Sequence, residues 1–478
     1  MPTSDRRFFL QQSAPMAGMG LFSIQTTRRK TPDIQVKEIR IQYEDFSYRT
    51  PIKFGGVVLD RVTLLNVHCV VALRSGKTAK GFGSMPLGNI WSFPSKTMPY
   101  ETTLEAMKAL AEQVARITGS YRESGHPVDI NWALEPEYFK AAGQVSKTLR
   151  LKEEMPKLSA LVVISPFDAA IHDAYGKVHG LSCYQTYGAE FMNHDLSYYL
   201  GPEFKGEYLN TYVLPKPKGF MPLYHLVGAV DPIFSEDVKQ SINDGLPETL
   251  PEWIRYNGLT HIKIKLNGDD LNWDVERVLH VDRATEETQK GRGVSNWFYS
   301  LDFNEKCRNV EYLLEFLRQI MEKRPKAFQR VQYIEQPTAR DLKSNPANTM
   351  HQAAKLRPIV IDESLTDKES LLLAREIGYT GVALKACKGQ GHALLMAALA
   401  QKHKMFLCVQ DLTCPGASLI HSAGLAAHIP GVAAIEANAR QFVPAANKPW
   451  ENKFPGLFII KNGRMHTGVL QGPGLGAV

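Results

Sequence analysis

Lys263, Lys265, Asp302, Glu335, Asp362 and Lys385 stand at or near the ends of short apolar runs: HIKIKLN, FYSLDFN, QYIEQP, PIVIDES and GVALKA. Two further runs close on Asp411 (FLCVQD) and Glu436 (VAAIEAN). A single acidic residue at such a place is ordinarily a helix cap or a solvated loop residue. Three in succession, flanked by lysines, form a different pattern. Carboxylates converging on one point repel each other unless positive charge lies between them, and hard oxygen donors of this kind suit Mg²⁺ or Mn²⁺. The period of two in a strand puts Lys263 and Lys265 on one face, and a lysine facing a protein interior is costly unless its charge is used. One chemistry that such a set can serve is removal of a proton α to a carboxylate. The resulting dianionic enediolate is stabilised by a divalent cation and an ammonium group on the carboxylate oxygens. A lysine takes such a proton only when neutral, and a nearby metal and second lysine drive its pKa down from about 10.4.

The elements that must position these residues are legible in the spacing. The run ends from Lys265 to Glu436 follow one another at 23 to 37 residues, and one βα unit of an eight-unit barrel takes about 25–35. PIVIDE, FLCVQ and VAAIE are near-continuously apolar, as strands of a parallel sheet covered on both faces are. Between them, residues 310–321 place Leu313, Leu314 and Leu317 on one helical face, and residues 368–377 do the same with Leu371, Leu372 and Ile377. The fold class expected is α/β, a (β/α) TIM-type barrel over residues 161–440 with its site at the C-terminal strand ends. No G-x-G-x-x-G or phosphate-loop motif follows a strand, which sets nucleotide-binding α/β enzymes aside. Residues 31–160 read as an α+β capping domain. Paired strands flank Gly55-Gly56, a Gly/Pro/aromatic loop spans 81–95, and helical periodicity spans 103–117. Residues 441–478 are expected to return to the cap.

At 478 residues, 44% hydrophobic and 22% charged, the chain is neither disordered nor fibrous. It has no apolar run of membrane-spanning length. Lys and Arg number 56 against 49 Asp and Glu. Much of that surplus sits in residues 1–30, where Arg6, Arg7, Arg28, Arg29 and Lys30 face Asp5 alone, so no nucleic acid or other polyanion partner is implied. SDRRFFL at 4–10, followed by APMAGMGLFSI at 14–24, resembles a twin-arginine export signal. Residues 1–30 are therefore expected to be a signal for the periplasm, the alternative being a basic tail on a cytoplasmic protein. Six scattered cysteines show no metal or redox spacing and read as buried small hydrophobes.

Together the motifs KIK (263–265), DFN (302–304), EQP (335–337), DES (362–364) and LKACKGQG (384–391) resemble the enolase superfamily, in its mandelate racemase and muconate lactonizing branch. RTPIKFGG (49–56) is similar to that family's early capping-domain loop. FDAAIHDAYGKVHGLSCYQTYG (167–188) resembles its helix leading into the barrel, and GPGLG (472–476) its closing segment. The resemblance implies one Mg²⁺ on Asp302, Glu335 and Asp362, supported by Asn304 and Glu363. It implies Lys265 as base on one face of a small carboxylate substrate, Lys263 against the carboxylate, and Lys385 as acid or base on the other face with Lys388 beside it. A lysine base with Mg²⁺ is a known arrangement for this chemistry. Lysines on both faces favour a racemase or epimerase; a dehydratase, a cycloisomerase and, outside catalysis, a metal-binding barrel are the alternatives. Strand seven ends in Gln410-Asp411 where the mandelate racemase variant has a histidine, and His421 and His428 are expected to pack within the helix that follows. Strand eight carries Glu436-Ala-Asn438 where similar dipeptide epimerases carry D-x-D, which argues against dipeptides. Glu436, Asp411 and Trp91, with Phe93 and Tyr100, are candidate substrate contacts. The stretch after Gly188 and the loop 233–257 are expected over the pocket or a subunit interface. Relatives of this kind are dimers or octamers, so a homo-oligomer is expected.

Overall fold

In the computed structural model, residues 30–54 and 57–476 are described; the export-signal motif lies outside them. The alternating residues of the N-terminal region pair as expected. β1 (Ile34–Phe54) and β2 (Val57–Leu73) form an antiparallel ribbon whose register runs from Ile34 opposite Leu73 to Phe54 opposite Val57. RTPIKFGG, likened above to a loop, is thus largely the outer end of a strand. Residues 81–95 differ too: Gly81–Pro86 complete β3 (Thr78–Pro86), paired with β2, and α1 (Asn89–Ser92) follows.

α2 (Tyr100–Ser120), α3 (Pro127–Thr148) and α4 (Lys157–His179) come next. α4 is apolar nearly all round, the signature of a helix enclosed on every side. It lies between the capping sheet and the barrel. The glycines of β3 exist for that contact: a Cβ on Gly81 would fall 2.0 Å from the Ala170 carbonyl oxygen, and one on Gly83 1.9 Å from that of Pro166. A glycine-rich stretch therefore reads as a loop in sequence but serves as a strand that a helix backbone can approach.

Eight parallel strands close into a barrel: β4 (Met221–Val227), β5 (His261–Lys265), β6 (Phe298–Asp302), β7 (Val331–Glu335), β8 (Ile359–Ile361), β9 (Gly381–Lys385), β10 (Phe406–Gln410) and β11 (Ile435–Glu436). β11 pairs with β4 to shut the ring, and β12 (Arg464–Met465) adds antiparallel to β4. Seven of these strands were marked by their polar ends; β4 ends in valine and glycine and gave no such mark. Tyr224, Tyr333, Val360, Ala383, Cys408 and Ala434 fill the interior below the mouth. The helices Val310–Lys323 and Lys368–Glu376 match their periodicity, with Leu313, Leu317 and Leu371 buried and Leu314 and Leu372 partly so.

The loop 233–257 ends in a helix: Leu250–Asn257 is capped by a reciprocal Thr249–Glu252 box and stopped by Gly258 at φ 68°. The ribbon reaches across to the barrel, where Ile52, Leu59 and Val62 pack with Leu226, Phe442 and Val443. Arg49 ties it to the loop after β4 through Asp244 (2.9 Å) and the Leu246 carbonyl (3.2 Å). The stretch after Gly188 bonds to the cap through Asn193–Asp33 and Tyr199–Asp129 and to a barrel helix through Glu207–Lys402. At the C-terminus, Gly474 accepts from the Cys183 N–H, and the Leu475 N–H donates to Asp173 of α4. All six cysteines are free and buried.

Candidate active site

The parallel register aligns the strand ends so that Lys265, Asp302 and Glu335 stand side by side, with Asp362 just past β8 and Lys385 ending β9. Their side chains all enter the barrel mouth and are buried. Lys263, 1% exposed, sits at the centre, with its Nζ 2.9 Å from Asp302, 2.9 Å from Glu335 and 2.7 Å from Glu436. Lys265 bonds to Asp302. Across the mouth, Lys385 pairs with Asp362 Oδ2 at 2.8 Å and Lys388 with Oδ1 at 3.2 Å. β5 and β9 are four strands apart in an eight-stranded ring, so Lys265 and Lys385 face each other over the carboxylates of β6, β7 and the β8 end.

The electrostatics follow from burial with unequal partners. Burial alone opposes the charge on Lys263, but Asp302, Glu335 and Glu436 raise its pKa well above the ordinary lysine value. Lys385 behaves in the same way: burial lowers its pKa, and Asp362 and Glu335 outweigh that. Asp302 resists the effect of burial and is held below the usual carboxylate range by Lys263 and Lys265. Glu335 is pushed well up by burial and by the negative charges of Asp302 and Asp362. Glu363 is pushed up to about 7 by burial and by Asp362, and Asp411 to about 7 by burial and by Glu436. Lys388, by contrast, is lowered by burial.

A hard divalent cation fits this donor set, which is all carboxylate oxygen on consecutive strand ends. Among the described residues no acidic, histidine or cysteine trio is drawn into a ready coordination shell. Ammonium groups of Lys263, Lys265, Lys385 and Lys388 take the carboxylate oxygens instead.

The supporting residues divide. Asn304 acts through its backbone: at φ 45° its N–H donates to Asp302 Oδ1 at 2.8 Å. Glu363 accepts from the Trp91 indole N–H at 3.1 Å. Trp91, a candidate substrate contact, lies over Lys385, whose Nζ is 4.5 Å from the ring centroid. Phe93 is core, and Tyr100 packs under Arg61 at 4.7 Å. Asp411 Oδ2 accepts from the N–H groups of Cys414 in its own loop (3.2 Å) and of Asn438 after β11 (3.0 Å). His421 and His428 are buried in the helix Ala417–His428, the latter stacked on Tyr184. Sequence reasoning missed Gln336, whose side-chain oxygen accepts from the Asp362 N–H at 2.9 Å, and Gln410, which donates to Glu335. It also missed Arg340, which grips Glu305 and the Trp91 carbonyl (3.1 Å). The one available signal was position: Gln336 and Gln410 directly follow or end marked strands. A cavity of about 650 Å³ lies beside the mouth between Arg49–Pro51, the loop after β4 and Trp253, and is lined by none of Lys263, Lys265, Lys385, Lys388 or their carboxylate partners.

A family model described as enolase C-terminal domain-like matches residues 246–478. Over these residues the chain is similar to the C-terminal domain of enolase-like proteins. The barrel with its capping sheet shares its fold with solved structures over nearly the whole chain. A muconate lactonizing enzyme from Pseudomonas fluorescens, solved with muconolactone, superposes with a TM-score of 0.58 at 16% identity, covering 93% of this chain and 96% of that one. A dipeptide epimerase from Enterococcus faecalis, solved with Mg and L-Leu-L-Tyr, gives 0.59 at 14% identity, covering 92% and 99%. An enolase from Bradyrhizobium, solved with magnesium and mandelic acid, gives 0.58 at 14%, covering 93% and 96%. At these identities the likeness is one of fold. A search of curated proteins by sequence finds no match.

Proposed function

We propose that this protein is a Mg²⁺-dependent racemase or epimerase of the enolase superfamily that removes a proton α to a carboxylate and returns it on either face. The observation that carries the reading is the opposed pair, Lys265 on β5 and Lys385 at the end of β9, each bonded to a carboxylate of the neighbouring strand. Asp302, Glu335 and Asp362 would hold the cation, which supplies positive charge to the substrate carboxylate and to the carboxylates that now keep the lysines charged. Lys263 places a fixed ammonium at the centre, where charge develops on the substrate oxygens. Lys265 takes the α-proton on one face, and Lys385, held as an ammonium by Asp362, delivers one on the other. Burial of every one of these groups excludes water from the transfer.

Solvent deuterium exchange at Cα across a library of chiral α-hydrogen carboxylates, with Mg²⁺, tests the reading. Exchange with loss of optical purity is expected, and Lys265→Ala or Lys385→Ala should each abolish turnover while metal affinity persists. Full turnover in either variant sinks the two-base scheme. A 2-keto acid product would move the assignment to a dehydratase and a lactone to a cycloisomerase. No exchange on any carboxylate despite bound Mg²⁺ would leave a binding barrel.

A further inference from the structure

We infer that Trp91, contributed by the capping domain, is the positioning residue for Lys385, so that one of the two opposed lysines is set in part by the cap. The inference rests on the two-base reading for its catalytic consequence, but its geometric core stands apart from it.

A lysine side chain has four rotatable carbons and a compact charge, and needs contacts on more than one side to hold one position. Lys385 has Asp362 Oδ2 at 2.8 Å on one side and the Trp91 ring, its centroid 4.5 Å from Nζ, on another. Both residues are buried, with Trp91 5% and Lys385 4% exposed, so the cation–π contact acts with water excluded. Asp362 is a shared anchor, since Lys388 also draws on its carboxylate; Lys388 lies farther from the ring, at 5.7 Å. The ring is therefore the contact that distinguishes Lys385.

Trp91 is itself fixed from the barrel side at both ends. Its indole N–H donates to Glu363 Oε1 at 3.1 Å, and its carbonyl accepts from Arg340 at 3.1 Å. Arg340 is in turn held by the Glu305 carboxylate (2.8 and 3.0 Å to Nε). The loops after β6, β7 and β8 thus clamp one residue of α1, and that residue presses on the group at the end of β9. Lys265 is bonded to Asp302 on the neighbouring barrel strand. Loosening the cap at this point should displace one proton-transfer group and leave the other in place.

Two measurements on the full-length protein test this. In protein carrying ¹³Cε-labelled lysine, the Lys385 ε-CH₂ resonance, assigned by its loss in Lys385→Met, should be shifted by the indole ring current. Trp91→Leu should return it toward the ordinary lysine position, Trp91→Phe should keep a shift of the same sign, and the Lys265 resonance should stay where it is in both. In exchange assays on separate enantiomers of mandelate, and of any carboxylate the wild type turns over, Trp91→Leu should slow deuterium incorporation tenfold or more for the enantiomer whose exchange depends on Lys385. The Lys265-dependent enantiomer should change less than twofold. An unmoved Lys385 resonance in Trp91→Leu, or equal slowing of both enantiomers, overturns the inference. If the wild type exchanges no carboxylate, the proposed reaction fails while the resonance measurement still decides where Trp91 holds Lys385.

Discussion

Replacing Lys263 by Met removes one charge at nearly constant volume from the most crowded point of the mouth. Three carboxylates approach that ammonium within 2.7 to 2.9 Å, and it is 1% exposed. Removing one partner of a buried ion pair costs about 3–5 kcal/mol, because the other partner is left uncompensated. With three carboxylates left, the upper end of that range applies. Unfolding entropy is about 2.1 cal/mol/K per residue, so a chain of 478 residues changes its Tm by roughly one degree per kcal/mol. The expected loss is about 5 °C by calorimetry in chelator. In millimolar Mg²⁺ the deficit should shrink to half or less, because a cation on Asp302 and Glu335 replaces the missing charge. An unchanged Tm in chelator would mean that these carboxylates carry protons rather than charge, and an equal deficit with and without Mg²⁺ would mean that they do not hold a cation.

Two other outcomes follow from packing and from burial. Gly83→Ala puts a Cβ 1.9 Å from the Pro166 carbonyl oxygen, a backbone atom of a helix enclosed on both sides. Overpacking of that kind costs about 1–3 kcal/mol or more, read as a lower urea midpoint with unchanged m-value; no loss would mean that α4 shifts freely. Asp411, raised by burial and Glu436 to about 7 from an unfolded value near 3.9, favours the native state below about pH 4, and that contribution is lost as pH rises through 7. Asp411→Asn, which keeps an acceptor for the Cys414 and Asn438 N–H groups, should therefore gain stability relative to wild type between pH 4 and 8. A difference independent of pH would show that Asp411 is already ionised in the native protein across that range.

What the sequence disclosed was tied to the strand ends. A charged residue closing a near-continuous apolar run is visible in one dimension, and the barrel geometry then brings such ends together without further information. β4 stayed hidden because Val227 and Gly228 close it without a charge, and β3 because the glycines that admit α4 look like loop composition. The role of Trp91 was out of reach for another reason. It depends on how a residue some 290 positions from Lys385 docks onto loops of another domain, and local patterning carries no record of that. Gln336 and Arg340 share this property: each matters through the backbone groups it reaches.

The barrel is shut by its weakest member. β11 has two residues, and its pairing with β4 and β10 supplies only a few backbone bonds. The Lys263–Glu436 bond, running from β5 to β11 past β4, acts there as a cross-brace that the ladder itself does not provide. Glu436 also faces the region where substrate is proposed to bind. Selection for a new substrate at this position would thus be taxed by ring closure, whereas drift at Trp91 would loosen one ammonium and spare the scaffold. The two residues mark the rigid and the adaptable side of the same mouth.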